Sequence, residues 1–293
     1  MSLQDAIARA ITQATGEVFR PEGRRGVSGG DINTAEMLEG GGRRYFVKLN
    51  DVTRLAMFEA ESEGLAEITN SKSVRVPQPI CLGTHDSQAF LVLEYLDIGP
   101  SAGKTEELLG RQLAAMHRST TTGFGWRRDN TIGSTPQINT AEQNWVTFYR
   151  EHRLRFQLEL AARNNPGGNL LRRGEQLLEI LPAFFANYQP SPSLLHGDLW
   201  GGNHAALRDG TPVIFDPAVY YGDREADIAM TELFGGYSPG FYSSYNEAWP
   251  LDAGYRVRKS LYNLYHVLNH FNLFGGGYGS QSERMIEMLL SET

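Results

Sequence analysis

The string His196-Gly197-Asp198-Leu199-Trp200-Gly201-Gly202-Asn203, followed by the apolar run Val213-Ile214-Phe215 and then Asp216, constrains this chain more than any other feature. It places one carboxylate five positions ahead of a neutral amide and a second at the end of a strand, where one metal ion could reach both Asn203 and Asp216. This set suits transfer of a phosphoryl group. Charge spreads over the transferred oxygens and must be met by metal ligands, while the attacking hydroxyl needs a carboxylate to receive its proton. The spacing predicts Asp198 as that base and Asn203 and Asp216 as Mg²⁺ ligands. A plain surface turn is the competing reading, because His-Gly-Asp and Gly-Gly-Asn form turns on their own. The other parts of such a site must therefore be found elsewhere in the chain.

Composition sets the frame for that search. With 293 residues, 41% of them apolar, the chain can fill one large domain or two lobes. The longest apolar stretch, Ala89 to Leu96, is too short to cross a bilayer, and Met1-Ser2-Leu3-Gln4-Asp5 lacks the pattern of an export signal. The single cysteine, Cys81, excludes an intrachain disulfide and a multi-cysteine zinc site. A formal charge of −7 disfavours non-specific attraction to nucleic acid or anionic membrane. The expectation is a cytoplasmic protein with a small-molecule partner and no nucleic-acid or membrane partner, monomeric, with a dimer as the alternative.

Leu3, Ile7 and Ile11 recur at four-residue spacing and predict a short amphipathic first helix. The glycines of Gly26-Val27-Ser28-Gly29-Gly30-Asp31-Ile32-Asn33 suit a tight hairpin whose amides, at Gly29 and Gly30, could approach a ligand. Past Gly40-Gly41-Gly42, the run Tyr45-Phe46-Val47-Lys48-Leu49 has the residue types of a strand. A glycine-rich loop ahead of a lysine strand is the upper-lobe arrangement of a kinase, with Lys48 on the α- and β-phosphates. On a helix from Thr53 to Thr69, Phe58, Leu65 and Ile68 share one side and Glu61 falls between them, while Glu59 and Glu63 point away. An acid on an apolar face needs a partner, and Lys48 is the natural one.

Ala89 to Leu96 reads as a buried strand running into the turn residues Asp97 to Gly103, and the backbone of Glu94 and Leu96 is predicted to read an adenine edge there. The chain then becomes helical. Leu108, Leu109, Leu113 and Met116 form one apolar stripe, and Trp145, Phe148, Tyr149, Phe156 and Leu160 another. His117 and His152 read as capping or surface residues, and Pro166-Gly167-Gly168 as a loop between helices. Beyond Asp216, the acids of Gly222-Asp223-Arg224-Glu225-Ala226-Asp227 open a helix, where its dipole favours them. Asp227 lies in an otherwise apolar run. Since buried acids are hydrogen-bonded, it is expected to brace the backbone of the 196–203 loop, with His196 as further support.

At this point the chain resembles the fructosamine/ketosamine kinase family, a branch of the aminoglycoside-phosphotransferase-like kinases, over nearly its whole length. The resemblance is carried by Phe58-Glu59-Ala60-Glu61, Leu91-Val92-Leu93-Glu94-Tyr95, Gly123-Phe124-Gly125 through Asn130, Ile132-Gly133, Pro136-Gln137, His196 to Trp200 with Gly202-Asn203, Gly222 to Glu225 with Asp227, Glu232 to Gly236, and Leu261 to His266 with Leu268-Asn269-His270. It implies an α+β, bilobal protein-kinase-like fold. The small antiparallel-sheet lobe would span 1–96 and the larger, mainly helical lobe 97–293. It also implies ATP-dependent phosphorylation of the sugar 3-hydroxyl of ketosamines, free or on glycated protein lysines, which releases the amine.

Trp126, Asn130, Trp200 and Asp223 match the family and are expected to contact the acceptor. Two positions depart from it: Asp31 in the glycine loop, where a carboxylate faces phosphate awkwardly, and Gly201 after Trp200. An aminoglycoside- or choline-type phosphotransferase is the neighbouring enzymatic alternative, and a pseudokinase that binds nucleotide without turnover is the non-catalytic one.

Overall fold

The computed structural model describes residues 2–27, 32–100, 103–164 and 169–292. Gly29, Gly30, Asp31 and the 166–168 loop lie outside these residues.

The first helix, α1 (Leu3–Thr15), starts on a capping box in which Ser2 and Asp5 satisfy each other's amides, and it buries Ile7, Ala8 and Ile11. Strands β1 (Gly23–Val27), β2 (Thr34–Gly40), β3 (Arg43–Asp51), β4 (Pro79–His85) and β5 (Gln88–Glu94) form an antiparallel sheet in the order β1-β2-β3-β5-β4. Alternation along β3 decides the rest. Tyr45, Val47 and Leu49 pack with α1, Phe90 and Val92 into one core, so Phe46 and Lys48 face the opposite side. On that side lies α2 (Leu55–Asn70), entered through a 3₁₀ turn at Val52–Arg54 and anchored by Phe58, Leu65 and Ile68.

The chain leaves β5 at Glu94 and passes through β6 (Ile98–Gly99) into α3 (Gly103–His117), β7 (Asn130–Ile132), β8 (Thr135–Gln137), α4 (Trp145–Tyr149), α5 (Phe156–Asn164) and α6 (Leu170–Ile180). Strands β9 (Ser193–Leu195), β10 (His204–Leu207), β11 (Pro212–Ile214) and β12 (Tyr220–Gly222) follow, then α7 (Glu225–Leu233), α8 (Pro239–Ala248), α9 (Tyr255–Phe274) and α10 (Tyr278–Leu290). The lower lobe is built around α9, buried without a break from Leu261 to Asn269, as expected of a helix with neighbours on all sides. Short ladders pair β9 with β12, and β10 with both β11 and β6. They fix the 196–203 loop and Asp216 at the top of this lobe, facing the sheet.

Two apolar stripes differ from the sequence expectation. Leu108 is 37% exposed while Leu109, Leu113 and Met116 are buried. After Trp145, Phe148 and Tyr149 the buried set is Leu154, Leu158 and Ala161, with Phe156 and Leu160 only half-buried. The cause is a π-helical turn over Arg150–Arg155. One extra residue in a turn rotates everything beyond it by a residue's worth of helix, so a constant 3.6-residue period points at the wrong side chains. The turn also carries Arg153 into the core, where its guanidinium lies 4.1 Å from the Tyr220 ring centroid and 4.6 Å from that of Phe148.

Candidate active site

Lys48 joins the two lobes. Its Nζ donates to Glu61 of α2 at 2.6 Å and to Asp216 of the lower lobe at 2.7 Å. The lysine is 5% exposed. Burial disfavours its charge, but Asp216 and Glu61 more than offset this and hold it protonated. Asp216 sits just past β11 with φ +59, a left-handed conformation that Asp tolerates better than most residues. This turns its carboxylate back toward Lys48.

The 196–203 loop is fixed by buried groups. Asp227 accepts the amides of His196 at 2.7 Å and Gly197 at 2.8 Å, and its other contact is His117 Nε2 at 3.1 Å. His117 is therefore fully buried and bridges Asp227 to the Tyr245 hydroxyl at 2.8 Å, which corrects its reading as a cap or surface residue. His152, half-buried, approaches Glu142 at 3.5 Å. The His196 ring contacts the Phe215 carbonyl at 3.0 Å and accepts the Asp198 amide at 3.2 Å, so it carries its proton on Nε2. Gly197 has φ +83, and a Cβ there would meet the Ala218 carbonyl oxygen at 2.1 Å. No other residue fits.

Asp198 is thereby presented to the cleft beside Asn203, whose amide donates to the Asp198 carbonyl at 2.8 Å. Burial, reinforced by the negative charge of Asp216 and Asp227, pushes the Asp198 carboxyl up to about 7, while Asn203 pulls it down. A carboxyl raised by burial and by the negative charge of its neighbours marks a site that invites a cation. The free donors suit Mg²⁺: one Asp216 oxygen beyond Lys48's, and the Asn203 amide oxygen left over once its nitrogen is engaged. Among the described residues no cluster of three His, Cys, Asp or Glu side chains could hold a metal, and Mg²⁺ needs none, taking one or two carboxylates together with phosphate and water.

These groups line a cavity of about 570 Å³ that runs from Ala35 and Lys48, past Asp198, Asn203 and Asp216, to Trp200, Phe234, His266, His270, Phe274 and Tyr278. Of the expected acceptor contacts, Trp200 is 40% exposed at its mouth. Asn130 lines it, but its side chain is committed: it donates to the Val219 carbonyl at 2.8 Å and accepts from Gln137 and Asn139. Trp126 does not line the cavity; it is 9% exposed, with the Arg127 guanidinium over its ring.

Asp223 is fully buried, takes the hydroxyls of Tyr188 and Tyr262 and caps the Glu225 amide at 3.0 Å. It cannot meet an acceptor amine from there, and its expected contact is corrected to an internal anchor. Glu94 and Leu96 also lie off this cavity: the Glu94 amide donates to the Gln78 carbonyl at 2.8 Å, and the Leu96 carbonyl accepts from Ile98 at 3.1 Å. Sequence reading missed His266, Asn269 and His270. The signal was present, as polar residues at helical spacing within an otherwise apolar helix.

A five-stranded antiparallel lobe whose lysine reaches a carboxylate of a helical lobe, above a half-buried Asp and a neighbouring Asn, defines a bilobal phosphotransferase of the kinase type. The family model of fructosamine kinases matches residues 3–292. A protein named probable ketoamine kinase from Synechocystis is 47% identical over 97% of this chain and 96% of its own length. The chloroplastic protein-ribulosamine 3-kinase of rice is 42% identical over 93% of this chain and 80% of its own. The chain belongs to the fructosamine kinase family. Among solved structures, one of an aminoglycoside phosphotransferase, 15% identical over 97% of this chain and 98% of its own, superposes with a TM-score of 0.63 and shares the fold.

Proposed function

We propose that the chain is an ATP-dependent kinase that phosphorylates the 3-hydroxyl of ketosamines, free or carried on protein lysines. The observation that carries this reading is Lys48 held between Glu61 and Asp216 in the same cavity as Asp198. Lys48 grips the α- and β-phosphates, and Glu61 keeps it there. Residues 1–96 would form the nucleotide lobe, with the purine extending from the cavity toward the hinge at Glu94 and Leu96, which lie outside its lining. Asn203 and Asp216 would hold Mg²⁺, which, bound with ATP, neutralises charge on the transferred phosphoryl oxygens. Asp198 accepts the proton of the attacking hydroxyl and orients it in line.

The acceptor end of the cavity, beyond Asp198, presents aromatic and neutral faces. Trp200, Phe234, Phe274 and Tyr278 surround it, and burial holds the His266 imidazole neutral by lowering its pKa to about 3. A protonated ketosamine nitrogen would rest on these ring faces. ATP consumption across fructosyl-lysine, ribulosyl-lysine, kanamycin and choline tests the reading, with phosphorus NMR locating the phosphate. Turnover of ketosamines to a 3-phosphate is expected. Robust phosphorylation of kanamycin without ketosamine activity would refute it.

A further inference from the structure

The helix that presents Glu61 to Lys48 has a second charged face. Glu59, Glu63 and Glu67 stand at four-residue spacing on α2 and so form one row. Arg128 donates to Glu59 at 3.1 Å and to Glu63 at 2.7 Å, and Arg127 donates to Glu63 at 2.9 Å and to Glu67 at 3.0 Å. Both arginines belong to the lower lobe, in the segment between α3 and β7. One residue along from Glu63, the approach is close enough that a Cβ on Gly64 would meet Val219 Cγ2 at 3.0 Å. Val219 follows Asp216 closely in the chain, and its carbonyl is held by Asn130. The stretch from Arg127 to Asn130 therefore grips α2 and the segment leaving Asp216 at the same time.

Single pairs of this kind, with Arg128 28% and Arg127 52% exposed, stabilise little on their own. Their leverage is geometric. Lys48 has one acidic partner on each lobe, so a small roll of α2 would leave it on Asp216 and off Glu61. A row of pairs on the outer face of the same helix opposes that roll. We propose that Arg128, assisted by Arg127, is a positioning residue for phosphoryl transfer, which docks α2 on the lower lobe and so keeps Glu61 on Lys48 before any ligand binds. The proposal rests on the reading of Lys48 and Glu61 as the pair that positions the nucleotide.

The test compares Mg·ATP affinity by calorimetry, and KM for ATP against kcat, in Arg128→Gln, Arg128→Lys, Glu61→Gln and the Arg128→Gln/Glu61→Gln double variant. Arg128→Gln should weaken ATP binding about five- to tenfold, the scale of a small ion-pair network. Arg128→Lys should recover most of it. In the Glu61→Gln background the arginine change should add less than about twofold, because the route through which it acts is already cut. Additive effects, or unchanged ATP affinity in Arg128→Gln alongside a lowered Tm, would overturn the proposal. Should Arg128→Gln fail to fold, Glu59→Gln removes one of its two acidic partners and should weaken ATP about two- to threefold; no change there would overturn it as well. Wild-type protein that binds no Mg·ATP would overturn both this proposal and the reading beneath it.

Discussion

At Asp198 two demands oppose each other. The base must be ionised to accept a proton, yet burial and the neighbouring carboxylates raise it to about 7. The sign follows directly: kcat/KM for ATP, which reports the free enzyme, should rise with pH through an acid limb near 7 and level off above it. Activity that is flat from pH 5.5 to 8 would show that another group limits. Asp198→Asn should cut kcat by about 10²–10⁴, the range for loss of a general base, while calorimetry finds ATP affinity nearly intact. This residue was legible because the requirement is local: Gly197 is demanded by φ +83 and the nearby Ala218 carbonyl, and the His-Gly-Asp string displays it. Asp227 was legible as the brace of this loop, whose His196 and Gly197 amides it holds; Asp223, expected at the acceptor, was not. Both are acids at the start of one helix, but Asp223 meets Tyr188 and Tyr262 while Asp227 meets His117. Those partners come from distant parts of the chain that no local pattern reveals.

The element that decides the nucleotide side is α2. Its periodicity placed Glu61 inward correctly, and its side chain is 10% exposed. Glu61→Gln should raise KM for ATP or lower kcat through a misplaced Lys48. Glu59 and Glu63 do point away from the apolar face, but they meet Arg128 rather than open water, so their substitution should be felt at the site. Glu63→Gln, which loses contacts to both arginines, should weaken ATP more than Glu59→Gln and less than Glu61→Gln, as read by KM. An equal effect at all three would mean that the two faces of the helix do not act separately. A helical pattern reports which side is apolar; it does not report what another lobe brings to the polar side. The π-helical turn at Arg150–Arg155 marks the other limit of such patterns, since nothing in the residue types announces the extra residue that rotates Leu154 and Leu158 inward.

At the scale of the whole molecule, the site is assembled where a sheet lobe and a helical lobe meet, and the burial this requires leaves ionisable groups away from water in both protonation states. His266, 5% exposed, is held neutral by burial, with His270 and Arg153 adding to the effect, at about 3; His196 is lowered by burial too. Asp198 and Glu225 are raised to about 7. The two sets oppose each other in acid. Between pH 6.5 and 3 an unfolded chain binds a proton at His266 that the folded chain does not, so this residue makes stability fall as pH drops. The raised carboxyls bind protons in the folded chain first, which makes stability fall as pH rises between their unfolded and folded values. The net slope is thus a contest, but the difference between wild type and one variant isolates a single term. In His266→Asn the acid loss of stability should be shallower than in wild type by up to about 1.4 kcal/mol per pH unit below pH 6, the value for one proton. Above pH 7 the two curves should run parallel, whatever constant offset the substitution introduces. Urea unfolding at half-unit steps from pH 5 to 8 measures both slopes, and identical slopes below pH 6 would show that the imidazole is protonated in the folded protein and that the acceptor end of the cavity carries a positive charge.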